Sequence, residues 1–128
     1  MANIIPFAFR GELLSGTHDF ANGGNSFKIA LYTSFAAYST SSTVYLTTNE
    51  VSASNTGYTT GGKVLAGQAV VSTGAVATVD FTDSTLTSAT FTANSAAIYN
   101  DTNSDKLCVV LDFGGDKTAT NGTFTISF

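Results

Sequence analysis

The chain has 128 residues, of which only 11% are charged, and its formal net charge at pH 7 is −4. This length fits one domain that buries roughly two-thirds of the surface of its unfolded chain. The acidic balance argues against nucleic acid as a partner, because phosphate contacts need clustered Lys and Arg, and the five present are scattered. No apolar run has the length of a membrane span, so we expect no membrane association.

The first predicted element is an N-terminal arm over residues 1–9, ahead of a single domain over residues 10–128. The arm contains the apolar sequence NIIPFAF, in which Pro6 disfavours regular helix. Its apolar side chains either add to a neighbouring subunit or cover the core of their own domain, and the sequence favours neither interpretation. The side chains concerned are those of Ile4, Ile5 and Phe7.

A short helix is predicted from Phe7 to Ser15. Phe9, Leu13 and Leu14 are at helical spacing, and Gly16 follows as a C-cap candidate. We therefore expect one short helix near the N-terminus, overlapping the end of the arm.

Alternating apolar and polar residues predict strands in the middle of the chain. The segment FKIALYT, residues 27–33, has the pattern of a half-buried strand. Residues 68–72 and 76–81 flank Thr73-Gly74-Ala75, where Gly74 can adopt the positive φ of a tight turn. These two segments predict a β-hairpin.

A second hairpin is predicted from residues 91–99 and 107–113, which the turn-forming sequence NDTNSD connects. Residues 107–113 are apolar on both faces, so we expect this strand at the centre of a sheet. The closing segment TFTISF predicts a separate final strand. Together these elements predict an all-β fold: an antiparallel β-sandwich or a jelly-roll-like small barrel with one short N-terminal helix.

The sequence GYTTGGKV, residues 57–64, nearly matches a phosphate-binding loop. A true phosphate loop follows its Lys with Ser or Thr and connects a strand to a helix. Here Val64 follows Lys63, and the glycine-containing segment beyond it is a poor helix former. We interpret the glycines as a turn into a strand in which Val64 begins apolar burial, with Tyr58 packed beneath.

Two further motifs have the residue types of functional sites but not the full pattern. Asp101, Asn103 and Asp105 repeat the first ligand positions of a calcium loop, but Lys106 occupies the position of the required Gly. We therefore predict a surface turn rather than a metal site, with a loose, partly hydrated calcium site as the alternative. His18 is the only histidine, and no nucleophile-elbow pattern surrounds any Ser. We predict a turn or capping role for His18 and no catalytic residue.

Cys108 is the only cysteine and lies in the apolar run LCVVL. It cannot form an internal disulfide, and its surroundings predict a small buried hydrophobic residue rather than a nucleophile. The start of the sequence lacks the basic region and cleavage site of a signal peptide, so we expect synthesis in a cytoplasm. No cofactor is predicted.

The polar stretch from Ser34 to Gly62 predicts a long loop, and loops of this length usually serve a function or form an interaction surface. Within this loop, Tyr38 and Tyr45 are expected to be exposed and to contact a partner. In a glycan-binding domain, tyrosines of this region would be stacking platforms. Those tyrosines are Tyr32, Tyr38, Tyr45 and Tyr58.

Five segments together resemble a family of short tailed-bacteriophage proteins, mostly virion structural ones. These segments are FKIALYT (27–33), GYTTGGK (57–63), AAIYND (96–101), VVLDFGGDK (109–117) and GTFTISF (122–128). The resemblance runs from about Phe9 to the last residue, and its motifs are strands and turns. It therefore implies a component of a phage particle without a catalytic activity.

The resemblance leads us to expect a non-enzymatic capsid decoration, or cement, protein located in the virion and made in the host cytoplasm. Its partners would be the major capsid protein and further copies of itself, with a trimer favoured by threefold capsid positions. The expected contact residues are Ile4, Ile5, Phe7, Tyr38 and Tyr45. A tail or fibre-associated component and a glycan-binding β-sandwich module are the alternatives.

Overall fold

A computed structural model describes residues 2–128 of the chain. Its elements, in order, are α1 (Phe7–Leu14), β1 (Phe27–Tyr32), β2 (Lys63–Val64), β3 (Ala69–Thr73), β4 (Val76–Asp80), β5 (Ser84–Asn100) and β6 (Lys106–Ile126). The predicted all-β fold with one short N-terminal helix is confirmed, and every strand pairing is antiparallel. No helix within residues 2–128 has both the length and the apolar character needed to cross a membrane.

The strands form two sheets. Four strands pair in the order β2-β1-β5-β6, and β3 and β4 form a separate two-stranded sheet. Both predicted hairpins are confirmed, and the β3–β4 turn contains Gly74 at a φ of +62°. The predicted separate final strand is instead the end of β6, where Phe124 pairs with Leu86 of β5.

The structure corrects the expected central position of residues 107–113. They belong to β6, which lies at the edge of the four-stranded sheet, while β1 and β5 lie at its centre. Tyr99 pairs with Leu107 and Ile98 pairs with Val109, so Cys108 is an extra, bulged residue in β6. The bulge shifts the alternation of faces. Both apolar faces of this segment are covered because residues outside the sheet pack on them.

The hydrophobic core consists of two clusters on opposite faces of the sheet. The larger includes Phe27, Ile29 and Leu31 of β1, and the smaller includes Ala30 and Tyr32 of the same strand. Successive residues of a strand point to opposite faces. Strand β1 is therefore covered on both sides rather than half-buried.

The predicted helix is confirmed as α1, with Ser15 as its C-cap and Gly16 following at a φ of +75°. The arm that precedes α1 packs on its own domain. Ile4 and Val110 exchange two backbone hydrogen bonds of 2.8 and 2.9 Å, which adds a short bridge to the edge of β6. Ile4 also packs against the smaller core cluster. For Ile4, the structure thus favours the interpretation in which the arm covers its own core.

Candidate interaction surface

The β3–β4 hairpin is exposed along almost its whole length. Ala69 is half-buried, and the other nine residues of the two strands are exposed. Because directly paired residues share a face, Val70, Ser72, Ala77 and Val79 form one face of the hairpin. The opposite face carries five exposed side chains, Val71, Thr73, Val76, Thr78 and Asp80. The hairpin therefore presents valines to solvent on both faces.

An apolar groove of about 490 Å³ lies beside this hairpin. Ala77 and Val79 of the hairpin form one side of the groove, and Ile5 and Leu13 contribute from the segment around α1. Ile98 of β5 and Val109 of β6 also line it. Among residues 2–128, no charged side chain lines the groove, and its one polar side-chain group is the thiol of Cys108. The groove can therefore take an apolar side chain but offers nothing to orient a polar ligand.

The outer side of α1 is a second exposed apolar surface. No residue of this helix is buried, Leu14 is 92% exposed and Phe7 is 59% exposed. These two residues are seven apart and lie on the same helix face, next to Arg10, whose guanidinium carbon is 5.6 Å from the centre of the Phe7 ring. Phe7 and Leu14 do not line the groove. We call the face formed by Phe7, Arg10 and Leu14 the outer helix face.

Four polar or titratable side chains meet behind the groove. His18 is buried, and its Nε2 lies 2.8 Å from Oε2 of Glu12. Asn100 donates its side-chain amide to Nδ1 of His18 at 3.0 Å, which requires that Nδ1 accept and that Nε2 donate to Glu12. Sγ of Cys108 lies 3.8 Å from the same Nδ1. The expected turn or capping role of His18 is therefore wrong, because its ring joins the N-terminal segment to β5 and β6.

Cys108, His18 and Glu12 have the residue types of a thiol-based catalytic site, but the thiol here is buried. Burial, and secondarily the charge of Glu12, raises the pKa of Cys108 to about 12, so the thiolate needed for nucleophilic attack is scarce at neutral pH. Burial also favours a raised pKa for Glu12, but hydrogen bonds from His18 and Lys106 outweigh it and lower that pKa. This cluster stabilises the fold, and the predicted burial of Cys108 is confirmed.

Tyrosines of the long loop form a partly buried hydrogen-bond network around Glu50. Tyr45 donates its hydroxyl to Oε2 of Glu50 at 2.6 Å, and Tyr58 donates to Oε1 at 2.6 Å. The backbone N–H of Gly61 also donates to Oε1, at 2.7 Å. Burial first, and then this carboxylate, raises the pKa of both tyrosines well above the usual value. The network holds the loop against the sheet.

This network corrects the expectation that Tyr38 and Tyr45 are exposed. Tyr38 is only 4% exposed, and its hydroxyl lies 2.8 Å from that of Tyr32, which is fully buried. Tyr45 is half-buried and stacks on Tyr99 with ring centroids 4.6 Å apart. Tyr58 is buried as well. The tyrosines proposed as stacking platforms for a glycan are therefore buried or half-buried. None of them is exposed to solvent as fully as the apolar side chains of α1.

The glycine-rich segment at residues 57–64 forms a turn into β2. Gly62 has a φ of +81°, and a Cβ at this position would collide with the carbonyl oxygen of Ile29. Tyr58 packs beneath the segment, as predicted. The expected burial of Val64 is wrong, because Val64 is exposed and Leu65 is the first buried residue. The chain continues from β2 into the β3–β4 hairpin rather than into a helix.

Residues 101–105 form the predicted surface turn. Asp101 pairs with Lys28, with 3.0 Å between Oδ1 and Nζ. The side-chain amide of Asn103 donates to the backbone carbonyl of Thr17 at 2.6 Å. Within residues 2–128, no cluster of three or more His, Cys, Asp or Glu side chains could hold a metal ion. The side chains of this turn therefore connect elements of the fold.

The structure brings only part of the predicted contact set to the surface. Ile5 lines the groove and Phe7 lies on the outer helix face, whereas Ile4 and Tyr38 belong to the core. Sequence reasoning placed Leu14 on the predicted helix but identified neither Leu14 nor the hairpin valines as contact residues. The signal that could have identified the valines is the absence of charge from Ala69 to Val79 in a strand pair that nothing in the sequence covers. Comparisons with protein-family models, curated proteins and solved structures gave no match.

Proposed function

We propose that this chain is a non-enzymatic structural protein of a bacteriophage particle, and specifically a capsid decoration protein that binds the outer surface of the head. The observation that carries the proposal is the outer helix face, where Phe7 and Leu14 are largely exposed on a helix that buries none of its residues. Exposed apolar residues of this size on one face are characteristic of protein-binding surfaces. The resemblance of the strand and turn segments to short phage proteins supplies the class of partner.

The outer helix face is suited to contact with a protein surface rather than to chemistry. Phe7 and Leu14 provide apolar area, and Arg10, held near the Phe7 ring, provides a cation for a carboxylate on the partner. A single contact of this size binds weakly. An oligomer on a symmetric particle repeats the contact, and the effective concentration of the remaining copies then raises the overall affinity.

The burial of the Cys108 thiol supports a non-enzymatic function. Cys108, His18 and Glu12 have the residue types of a nucleophile, a base and an acid, but the thiol is buried with a raised pKa. Turnover through this group would require both exposure and ionisation of Cys108.

The proposal is tested on purified particles of the phage that encodes this chain. We expect mass spectrometry to find the protein in many copies per particle and immunogold labelling to place it on the head. Labelling confined to the tail would overturn the decoration function in favour of the tail alternative. The absence of the protein from particles would overturn both.

A matched pair of variants tests the surface. We expect Phe7→Ser combined with Leu14→Ser to weaken binding to particles stripped of this protein by at least about 100-fold, since two large apolar contacts are lost. Val64→Ser is the control, because Val64 is also exposed but lies on β2, away from α1. Equal loss in both variants, or full binding by the double variant, would contradict the assigned surface.

A further inference from the structure

We infer that the apolar groove receives the β3–β4 hairpin of a second copy of this chain, and that each copy both donates its hairpin and accepts that of a neighbour. The inference rests on the proposed function in one respect, because a decoration protein of this kind acts as an oligomer. It adds the surface through which the copies associate.

The hairpin itself points to a missing partner. An isolated two-stranded hairpin is at best marginally stable in water, and this one has no third strand. Val71 and Val76 on its outer face, the face turned away from the groove, are 50% and 60% exposed. Valine side chains form no hydrogen bonds, so their presence at exposed positions is not explained by polar contacts. A neighbouring copy that covers the outer face would bury them and stabilise the hairpin.

The hairpin and the groove are chemically matched. From Ala69 to Val79 the hairpin carries no charged residue, and the groove is lined by apolar residues throughout. This matters for a chain of net charge −4, because contact between two copies is opposed by repulsion between their carboxylates. Asp80, the acidic residue of the hairpin, lies at its base, on the same face as Val71 and Val76. Association through the tip and the middle of the hairpin keeps that carboxylate away from the groove.

The exposed area is sufficient for a closed ring, in which each copy makes two contacts. Four valines of the hairpin and three residues at the groove, Ile5, Leu13 and Phe128, are each 41% to 60% exposed. Summed over the donor and acceptor surfaces of one copy, they offer roughly 500 Å² of apolar side-chain surface, which is divided between two contacts. A standard interface buries about 800 Å² per partner, of which a little over half is apolar, so the two contacts of one copy together bury about the apolar area of one standard interface. The exposed Ser and Thr side chains of the hairpin supply the polar remainder.

The arrangement favours a closed ring. The donor face of the hairpin carries Val71 and Val76, and the groove lies on its other face, beside Ala77 and Val79. Donor and acceptor are thus different surfaces of one copy, and contacts between different surfaces run head to tail and close into a ring when the rotation permits. A ring of three would match the threefold positions of a capsid.

Two complementary variants test the inference in solution, without phage particles. The donor variant combines Val71→Thr and Val76→Thr, which keeps the β propensity of both positions, and the acceptor variant combines Ile5→Lys and Leu13→Lys. We expect light scattering after size exclusion to give an oligomer for the unchanged protein. We expect each variant alone to be a monomer, with its dissociation constant raised at least about 100-fold.

Mixing the two variants gives the decisive result. Donor and acceptor each retain one intact surface, so an equimolar mixture is expected to form a 1:1 heterodimer that does not grow further. The exposed Val64→Thr, on β2, is the control and is expected to keep the oligomer. Circular dichroism checks that each variant is folded. If the donor variant fails to fold, the acceptor variant still tests the groove.

The outcomes separate the inference from the proposed function. A monomer for the unchanged protein at tens of micromolar, or an oligomer that survives both variants, would overturn the inference even if the protein is found on phage heads. An oligomer that the variants dissociate, from a protein that is absent from particles, would support the inference and overturn the proposed function.

Discussion

Strand β1 and the β3–β4 hairpin have similar sequences and opposite environments. Both contain β-branched or apolar residues interleaved with small or polar ones, and both pair in antiparallel register. In β1 every residue except Lys28 is buried, whereas in the hairpin every residue except Ala69 is exposed. The residue pattern therefore predicts a strand in both places but does not reveal what covers it.

The difference arises from contacts that are distant in sequence. Strand β1 is covered on one face by β5, β6 and the turn that contains Tyr58, and on the other by the long loop with its tyrosine network. Each of these contacts joins residues far apart in the chain. The hairpin is held mainly by its own turn and its own pairing, which short-range sequence signals specify.

The largest expected effect comes from replacing one glycine in each of the two regions. Gly62→Val places a side chain against the Ile29 carbonyl in a backbone of positive φ, and we expect it to lower the free energy of unfolding by at least about 3 kcal/mol. Gly74→Val in the hairpin turn also has positive φ but meets open space, so it should cost only about 1 kcal/mol. Urea unfolding measures both. Equal costs would show that steric contact at Gly62 is unimportant.

Carboxylates give the second test. Glu50→Ala leaves three donors without their acceptor, those of Tyr45, Tyr58 and Gly61, and we expect a loss of about 2–3 kcal/mol and faster proteolysis of the long loop. Asp80→Ala, at the exposed base of the hairpin, is the control and should change stability by less than about 0.5 kcal/mol. An unaffected loop in Glu50→Ala would contradict the anchoring role of the network.

Two valines give the third test. Val110→Thr introduces a hydroxyl at a buried position and is expected to cost about 1–3 kcal/mol. Val76→Thr introduces the same group at an exposed hairpin position and should cost less than about 0.5 kcal/mol in the monomer. Thermal unfolding at low protein concentration measures the difference. A larger cost at Val76 than at Val110 would mean that the hairpin is already covered.

The smallest expected effect is a loss of stability at low pH. The folded-state pKa of Glu12 is lowered, so this carboxylate contributes stability above its ordinary pKa of about 4.3 that is lost as pH falls through the folded-state value. We therefore expect the unchanged protein to lose more stability than Glu12→Gln between pH 5 and pH 3. Parallel pH profiles of the two proteins, followed by urea unfolding, would contradict this linkage.

The predictable parts of the fold are the local ones. Gly74 and the flanking valines predicted the hairpin, and Gly16 predicted the end of α1, because turn and cap chemistry depends on neighbouring residues. The edge position of β6 was not predicted, since strand order depends on pairings across the whole chain. An apolar run at a sheet edge has the same residue pattern as one at the centre when other parts of the chain cover it. Here the N-terminal arm helps to cover β6, and the bulge at Cys108 shifts which residues face each side.

The candidate surface was predicted less well than the fold. His18 contacts Asn100 and Cys108 from 82 and 90 residues away, and no local pattern encodes that meeting. Tyr38 was expected at the surface because polar residues flank it, but its hydroxyl pairs with that of Tyr32 in the core. Polar neighbours indicate a loop and do not indicate whether an aromatic residue within that loop is buried.

The bulge at Cys108 gives the protein a built-in chemical probe of its own opening. The chain contains a single thiol, which is buried at the floor of the groove and largely protonated at neutral pH. A thiol-specific reagent can react only when the groove opens or the domain unfolds, so its reaction rate measures the frequency of that opening without any engineered label.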